Sequence, residues 1–169
     1  IASEKAADSL IGLRYVKEGT PFMILSKLGD TSQNAEYIIY PKNIVDFVVF
    51  DFRDSVCVEK RSKPNEVKEQ MLSGEIIKNS NLTFALDQQL KDINMTGELA
   101  EYMAGVFAWS IDFFRLYPGD EFKVIYNEKS VEGIPYGIDG ISSIWFKHQG
   151  REFYAFRYAL DAEGKKMGF

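Results

Sequence analysis

Residues 118–126, Pro118-Gly119-Asp120-Glu121-Phe122-Lys123-Val124-Ile125-Tyr126, change character after the third position. Pro118-Gly119-Asp120 is turn chemistry: a fixed φ, a residue free to take positive φ, and a side chain that bonds its own backbone. Beyond it Phe122, Val124 and Tyr126 alternate with mostly polar neighbours, the period of a half-buried strand. Two more strand patterns follow, at 138–147 and 152–158. Glu132-Gly133 and Gln149-Gly150 supply turns between them, so the three are expected to run as an antiparallel meander.

Upstream the period changes. Leu82, Leu86, Leu90 and Ile93 recur at helical spacing behind Asn79 and Ser80, which serve as a start signal. Asn94-Met95-Thr96-Gly97 separates this from a second helix, expected over about 97–115. Tyr102, Val106, Trp109 and Phe113 form one apolar stripe of it, and Ala100, Ala104, Phe107 and Ile111 the next. Only Glu101, Gly105, Ala108, Asp112 and Arg115 make a narrow small or polar seam, so this helix is expected to be largely enclosed.

Earlier still, residues 1–13 carry apolar positions at helical spacing. Short strands are expected at 22–25 and 37–40. Ile44 to Phe52 is β-branched and aromatic on both faces, apart from Asp46 and Asp51, and reads as a central, doubly covered strand. A hairpin returns it through 55–59, with Cys57 half-buried, and 67–77 reads as two short strand pieces around Gly74. The fold class is α+β: antiparallel sheets made of a meander and hairpins, covered by a helical pair.

The chain has 169 residues, 46% of them hydrophobic and 27% charged, a composition that excludes a disordered polymer. Every apolar run is interrupted within a few residues, too soon to cross a bilayer as a helix. The net charge of −5 comes without a basic stripe, which argues against nucleic acid as a partner. Cys57 and His148 are each the one residue of their type, so the cysteine–histidine set of a zinc site cannot be assembled from this sequence. His148 and Glu152 have the spacing H-x-x-x-E, but across an expected turn and with no third ligand. Neither a G-x-S-x-G elbow nor a phosphate-binding G-x-x-x-x-G-K-[ST] loop occurs. Asn81-Leu82-Thr83 and Asn94-Met95-Thr96 are formal glycosylation sequons that serve equally as helix-start and turn residues.

Aromatic residues make up 14% of the chain. They serve either as core or as a platform for sugars. Tyr117, Tyr136, Trp145 and Tyr154 are the candidate ligand aromatics, and their exposure separates a glycan platform from the other readings. Asp112 and Arg115 are three residues apart and can pair. With Glu101, and with the edge of the strand 121–127, they form a candidate interdomain surface.

Three segments carry a resemblance: Val45-Asp46-Phe47-Val48-Val49-Phe50-Asp51-Phe52-Arg53-Asp54-Ser55, Phe107-Ala108-Trp109-Ser110-Ile111-Asp112-Phe113-Phe114-Arg115, and the quoted 118–126. With Glu152-Phe153-Tyr154-Ala155-Phe156-Arg157 they resemble the region that precedes the catalytic domain in bacterial lysostaphin/LytM-type zinc metallopeptidases, peptidase family M23, with a Bacteroidetes-like flavour. The likeness spans roughly residues 12–169, and the string W-x-I-D-F-F-R…G-D-x-F-x-V-x-Y is its most specific part. It implies that residues 1–13 are the last helix of a preceding LysM-like or OapA-like module. Residues 14–169 are then a mixed α/β accessory module upstream of a peptidase domain. The family's zinc motifs, H-x-x-x-D and H-x-H, are absent, so no catalytic or metal-binding residue is carried over; zinc is expected in the peptidase domain and not in this chain. The implied role is non-catalytic: to position or cover the protein's own peptidase domain at peptidoglycan. The implied location is the cell envelope, periplasmic or anchored facing the periplasm. A direct glycan-binding module and a stand-alone envelope scaffold are the alternatives.

Overall fold

Two antiparallel four-stranded sheets and two helices make up most of the computed structural model, which describes residues 18–29, 34–160 and 167–169. The expected helix at 1–13 lies outside the described residues. The chain divides into two compact units, residues 1–65 and 66–169.

In the first unit β1 (Met23–Leu25), β2 (Tyr37–Pro41), β3 (Asp46–Asp51) and β4 (Cys57–Ser62) follow one another across the sheet in chain order. Asn43 shapes the β2–β3 turn, its Oδ1 accepting from the amides of Val45 (2.8 Å) and Asp46 (2.7 Å). Strand β3 is interior to the sheet, and its adjacent residues Val48 and Val49 are both buried, which puts cover on both faces at its centre. Cys57, expected to be half-buried, is exposed at the start of the edge strand β4.

In the second unit β5 (Glu66–Glu75), β6 (Glu121–Val131), β7 (Ile134–His148) and β8 (Arg151–Phe156) form the other sheet, in that order. A short ladder of β9 (Tyr158–Ala159) and β10 (Met167–Gly168) follows. Both two-residue turns of the meander have positive φ at each position: 54° and 78° at Glu132 and Gly133, 50° and 77° at Gln149 and Gly150. That geometry matches the right-handed twist of the flanking strands. Strand β5 is continuous where two pieces were expected. Gly74 does not break it; a Cβ at that position would sit 2.7 Å from Cζ of buried Phe122, so the glycine makes room for the ring.

The helices α1 (Leu82–Leu90) and α2 (Ile93–Val106) are capped by acceptors from the preceding turns. Asn81 Oδ1 accepts from the Phe84 amide (2.8 Å), and Asp92 Oδ1 from the amides of Asn94 (3.0 Å) and Met95 (2.9 Å). Leu86, Leu99 and Met103 from the helices share one buried cluster with Phe122, Ile144 and Phe146 from the sheet. Fully burying side chains of this size stabilises by about 1.5–3 kcal/mol each.

The second helix is shorter than its apolar spacing implies. It ends at Val106, and residues 107–115 form a loop with turns at 107–110 and 113–114. The amides of Ser110 and Ile111 both return to the Phe107 carbonyl (2.8 and 3.0 Å), and Asp112 Oδ1 takes the Phe114 amide at 3.0 Å. These local bonds compete with continued helix. The expectation of an enclosed helix carrying Trp109 therefore fails: Phe107 and Ile111 are buried, but Trp109 and Phe114 are fully exposed. Phe113 is partly buried and packs edge-on against Phe146, 5.3 Å between ring centroids.

Candidate functional site

The loop 107–115 is held from below and open above. Its inward residues Phe107, Ile111 and Phe113 belong to or pack on the core, which fixes the backbone between them. Trp109 and Phe114 project beside a shallow hollow of about 490 Å³ that also includes Ala104 and Ala108. Asp112 and Arg115 do pair, Nε to Oδ2 at 3.5 Å, on this loop and not on a helix. Glu101, assigned to the same seam, lies apart on α2, lining a hollow of about 690 Å³ with Glu98, Tyr102, Gly105, Val106 and Phe169. The strand 121–127 offers no free edge either, because β6 is paired on both sides, with β5 and β7.

The four candidate aromatics do not line one groove. Trp145 and Tyr154 stand directly opposite each other on β7 and β8. Tyr117 is half-exposed and packs against the His148 ring, 6.0 Å between centroids. Tyr136 lies on β7 nine residues from Trp145, roughly 30 Å along the strand.

Trp145 and Tyr154 face outward from the sheet, because the residues alternating with them, Phe146 and Ala155, are buried. Lys123 is the β6 partner of Trp145 in register, and its Nζ lies 5.1 Å from the indole centroid. The Tyr154 hydroxyl donates to Glu152 Oε2. That bond holds the Glu152 carboxyl below its ordinary range. The same bond to Glu152 raises the Tyr154 phenol. In the next row Lys147 Nζ reaches Glu121 Oε1 at 2.7 Å, which raises the lysine. On the other side of the Trp145–Tyr154 row, Met71, Ile125, Ser143 and Phe156 stand abreast across the four strands.

A third constellation is structural. Asp120, almost wholly buried, accepts from the amides of Tyr117 (2.8 Å) and Gln149 (2.9 Å) and sits 2.7 Å from His148 Nδ1. His148 and Glu152 are parted, since Glu152 is registered with Lys147 and successive side chains take opposite faces. Among the described residues no group of three or more His, Cys, Asp or Glu side chains converges as a metal site. With one imidazole, already engaged by Asp120, the described donors do not fit the zinc of a peptidase centre.

No protein-family profile matches the chain. A 54-residue stretch is 43% identical to the peptidoglycan DD-endopeptidase ShyC of Vibrio cholerae, covering 31% of this chain and 12% of that protein. The fold is shared with a zinc-containing peptidase from Vibrio cholerae at a TM-score of 0.59 and 19% identity, over 95% of this chain and 46% of the other. It is also shared with Helicobacter pylori Csd3 at a TM-score of 0.58 and 14% identity, over 81% and 36%. The chain thus spans less than half the length of these solved relatives, and the curated match covers about an eighth of its partner.

Sequence reasoning missed the outward set of Trp109 and Phe114. Gly105 and the Asx-forming Asp112 were the signals for an earlier helix end. Lys123 was also missed, although its place between Phe122 and Val124 already turned it away from the core.

Proposed function

We propose that this chain is a non-catalytic module of an M23-type peptidoglycan endopeptidase in the cell envelope, docking on and positioning the zinc peptidase domain. The observation that carries this reading is the loop 107–115, a core-anchored segment that presents Trp109 and Phe114 at full exposure beside the Asp112–Arg115 pair. Aromatics presented on an anchored backbone beside an arginine are among the residue types that dominate binding energy at protein interfaces. Leaving two such rings in water is unfavourable unless a partner covers them. An interdomain contact of about 600–1,500 Å² and mixed polarity suits this patch. The 54-residue likeness to a peptidoglycan DD-endopeptidase supports the choice of partner, as does the shared fold with longer peptidases.

The test is calorimetric titration of the chain with the peptidase domain of the same protein. Saturable binding that Trp109→Ala with Phe114→Ala weakens about tenfold or more is the expected result. Unchanged binding in the double variant overturns the docking role. Clearing of a peptidoglycan gel by this chain alone, with zinc supplied, overturns the non-catalytic assignment.

A further inference from the structure

We propose that the outward face of the β5–β8 sheet is a carbohydrate platform, on which Trp145 and Tyr154 carry the sugar rings of a neutral glycan strand. The inference rests on the wall-associated reading above and concerns a surface separate from the 107–115 loop.

The buried cluster of this unit draws on both helices and on Phe122, Val124, Ile144, Phe146 and Ala155, and includes no residue of the outward face. On that face Tyr154 is 58% exposed and directly opposite Trp145. Glu152 accepts from the Tyr154 hydroxyl, and Lys123 Nζ lies 5.1 Å from the Trp145 centroid, so both rings have a partner before any ligand arrives. Fixed aromatic rings lose little conformational freedom on binding, and their faces suit the C–H faces of a sugar.

The charges around the rings select the ligand class. Glu75, Glu121, Lys147 and Glu152 stand in one row across the sheet and Lys123 in the next. Donors and acceptors are interspersed, and carboxylates exceed ammonium groups by one. Such a surface has no attraction for a polyanion such as nucleic acid or an acidic lipid. A second copy of the chain would bring the same carboxylate excess against itself. An uncharged polymer rich in hydroxyls and amides meets complementary groups and no net repulsion. The apolar Met71, Ile125 and Phe156 in the row next to the rings supply a place for acetyl methyls.

The experiment uses chitohexaose, the hexamer of β-1,4-linked N-acetylglucosamine, and the chain carrying Trp109→Phe, which leaves Trp145 as the single indole. Saturable change in indole emission and matching heat in calorimetry are expected. Adding Tyr154→Ala is expected to weaken binding about tenfold, the scale of one lost stacking contact, with the melting profile unchanged. Absence of saturable heat with chitohexaose overturns the proposal. So does unaltered affinity after Tyr154→Ala, or binding of the wall's stem peptide in place of the sugar. Indole emission that follows protein concentration instead of ligand marks self-association and also overturns it. The two readings fail separately: glycan binding survives Trp109→Ala with Phe114→Ala, and peptidase-domain docking survives Tyr154→Ala.

Discussion

His148 Nδ1 lies 2.7 Å from Asp120 Oδ2, and the same carboxylate takes the amides of Tyr117 and Gln149. One buried side chain thus ties the turn before β6 to the turn between β7 and β8. The Asp120 carbonyl extends the tie to the end of β5 by accepting from the Ile76 amide at 2.8 Å. Asp120→Ala strands two amides and the imidazole together. It is expected to destabilise the chain by about 2–4 kcal/mol in urea unfolding. His148→Ala, which leaves both amides satisfied, is expected to cost less than half of that. Equal losses in the two variants would show that the amides contribute nothing.

Gly74→Ala tests why β5 is unbroken. The added methyl meets a ring that is itself fully buried, so Phe122 has nowhere to retreat. A loss of about 1–3 kcal/mol is expected in the same assay, with secondary structure content unchanged. A neutral result would mean that the ring rotates freely within the core.

Thr96 presents the opposite case. Its side chain is buried in the first turns of α2, and its Oγ1 has no hydrogen-bond partner among the described residues. Thr96→Val keeps the shape and removes the orphaned hydroxyl. It is expected to raise stability by about 1 kcal/mol, read as a higher urea midpoint. A lower midpoint would reveal a bond that the hydroxyl makes in solution.

These variants also mark where the fold was legible from sequence. Glu132-Gly133 and Gln149-Gly150 were readable because few residue pairs tolerate two positive φ angles in succession. The end of α2 was not, because Phe107 and Ile111 keep helical spacing after the helix has stopped. The start of α2 was hidden for a similar reason: Asp92 is its cap, but Ile93 continued the stripe of α1. Gly74 reads as a break in sequence because local spacing does not reveal that the Phe122 ring needs its space. Of the candidate residues, Asp112 and Arg115 pair as their spacing allows, whereas Trp145 and Tyr154, two of four candidate aromatics, are brought opposite each other by strand register alone. Their neighbours depend on register and on where a helix ends, and neither can be read from local spacing.

Glu152 provides a pH-dependent check on the outward face. The Tyr154 hydroxyl holds its carboxyl below the ordinary range. A lowered folded-state value means that this interaction favours the folded form above the ordinary carboxylate range. The benefit is lost as pH falls through the lowered value. Tyr154→Phe removes the main cause, so the Glu152 carboxyl resonance is expected to titrate at higher pH in the variant. An unmoved titration would show that the hydroxyl bond does not persist in solution.

Trp109→Ala and Phe114→Ala are expected to leave the unfolding free energy in urea within about 0.5 kcal/mol of the parent, because neither ring is packed in the isolated chain. A marked loss of stability would place these rings inside the unit and withdraw them as a docking surface.

The long β6–β7 ribbon slips register at three points, between Ile125 and Tyr126, Asn127 and Glu128, and Lys129 and Ser130. Each slip is a joint where the ladder already accommodates an unequal count of residues. Single-residue insertions or deletions occurring there during divergence can be absorbed locally, whereas the same change between Glu121 and Val124 would turn the ribbon inside out. The stretch from Glu121 to Ile125, which bears Phe122, Val124 and the Lys123 partner of Trp145, is thus insulated from length variation beyond the first slip, where buried Tyr126, Ile138 and Ile141 still fix the inward face.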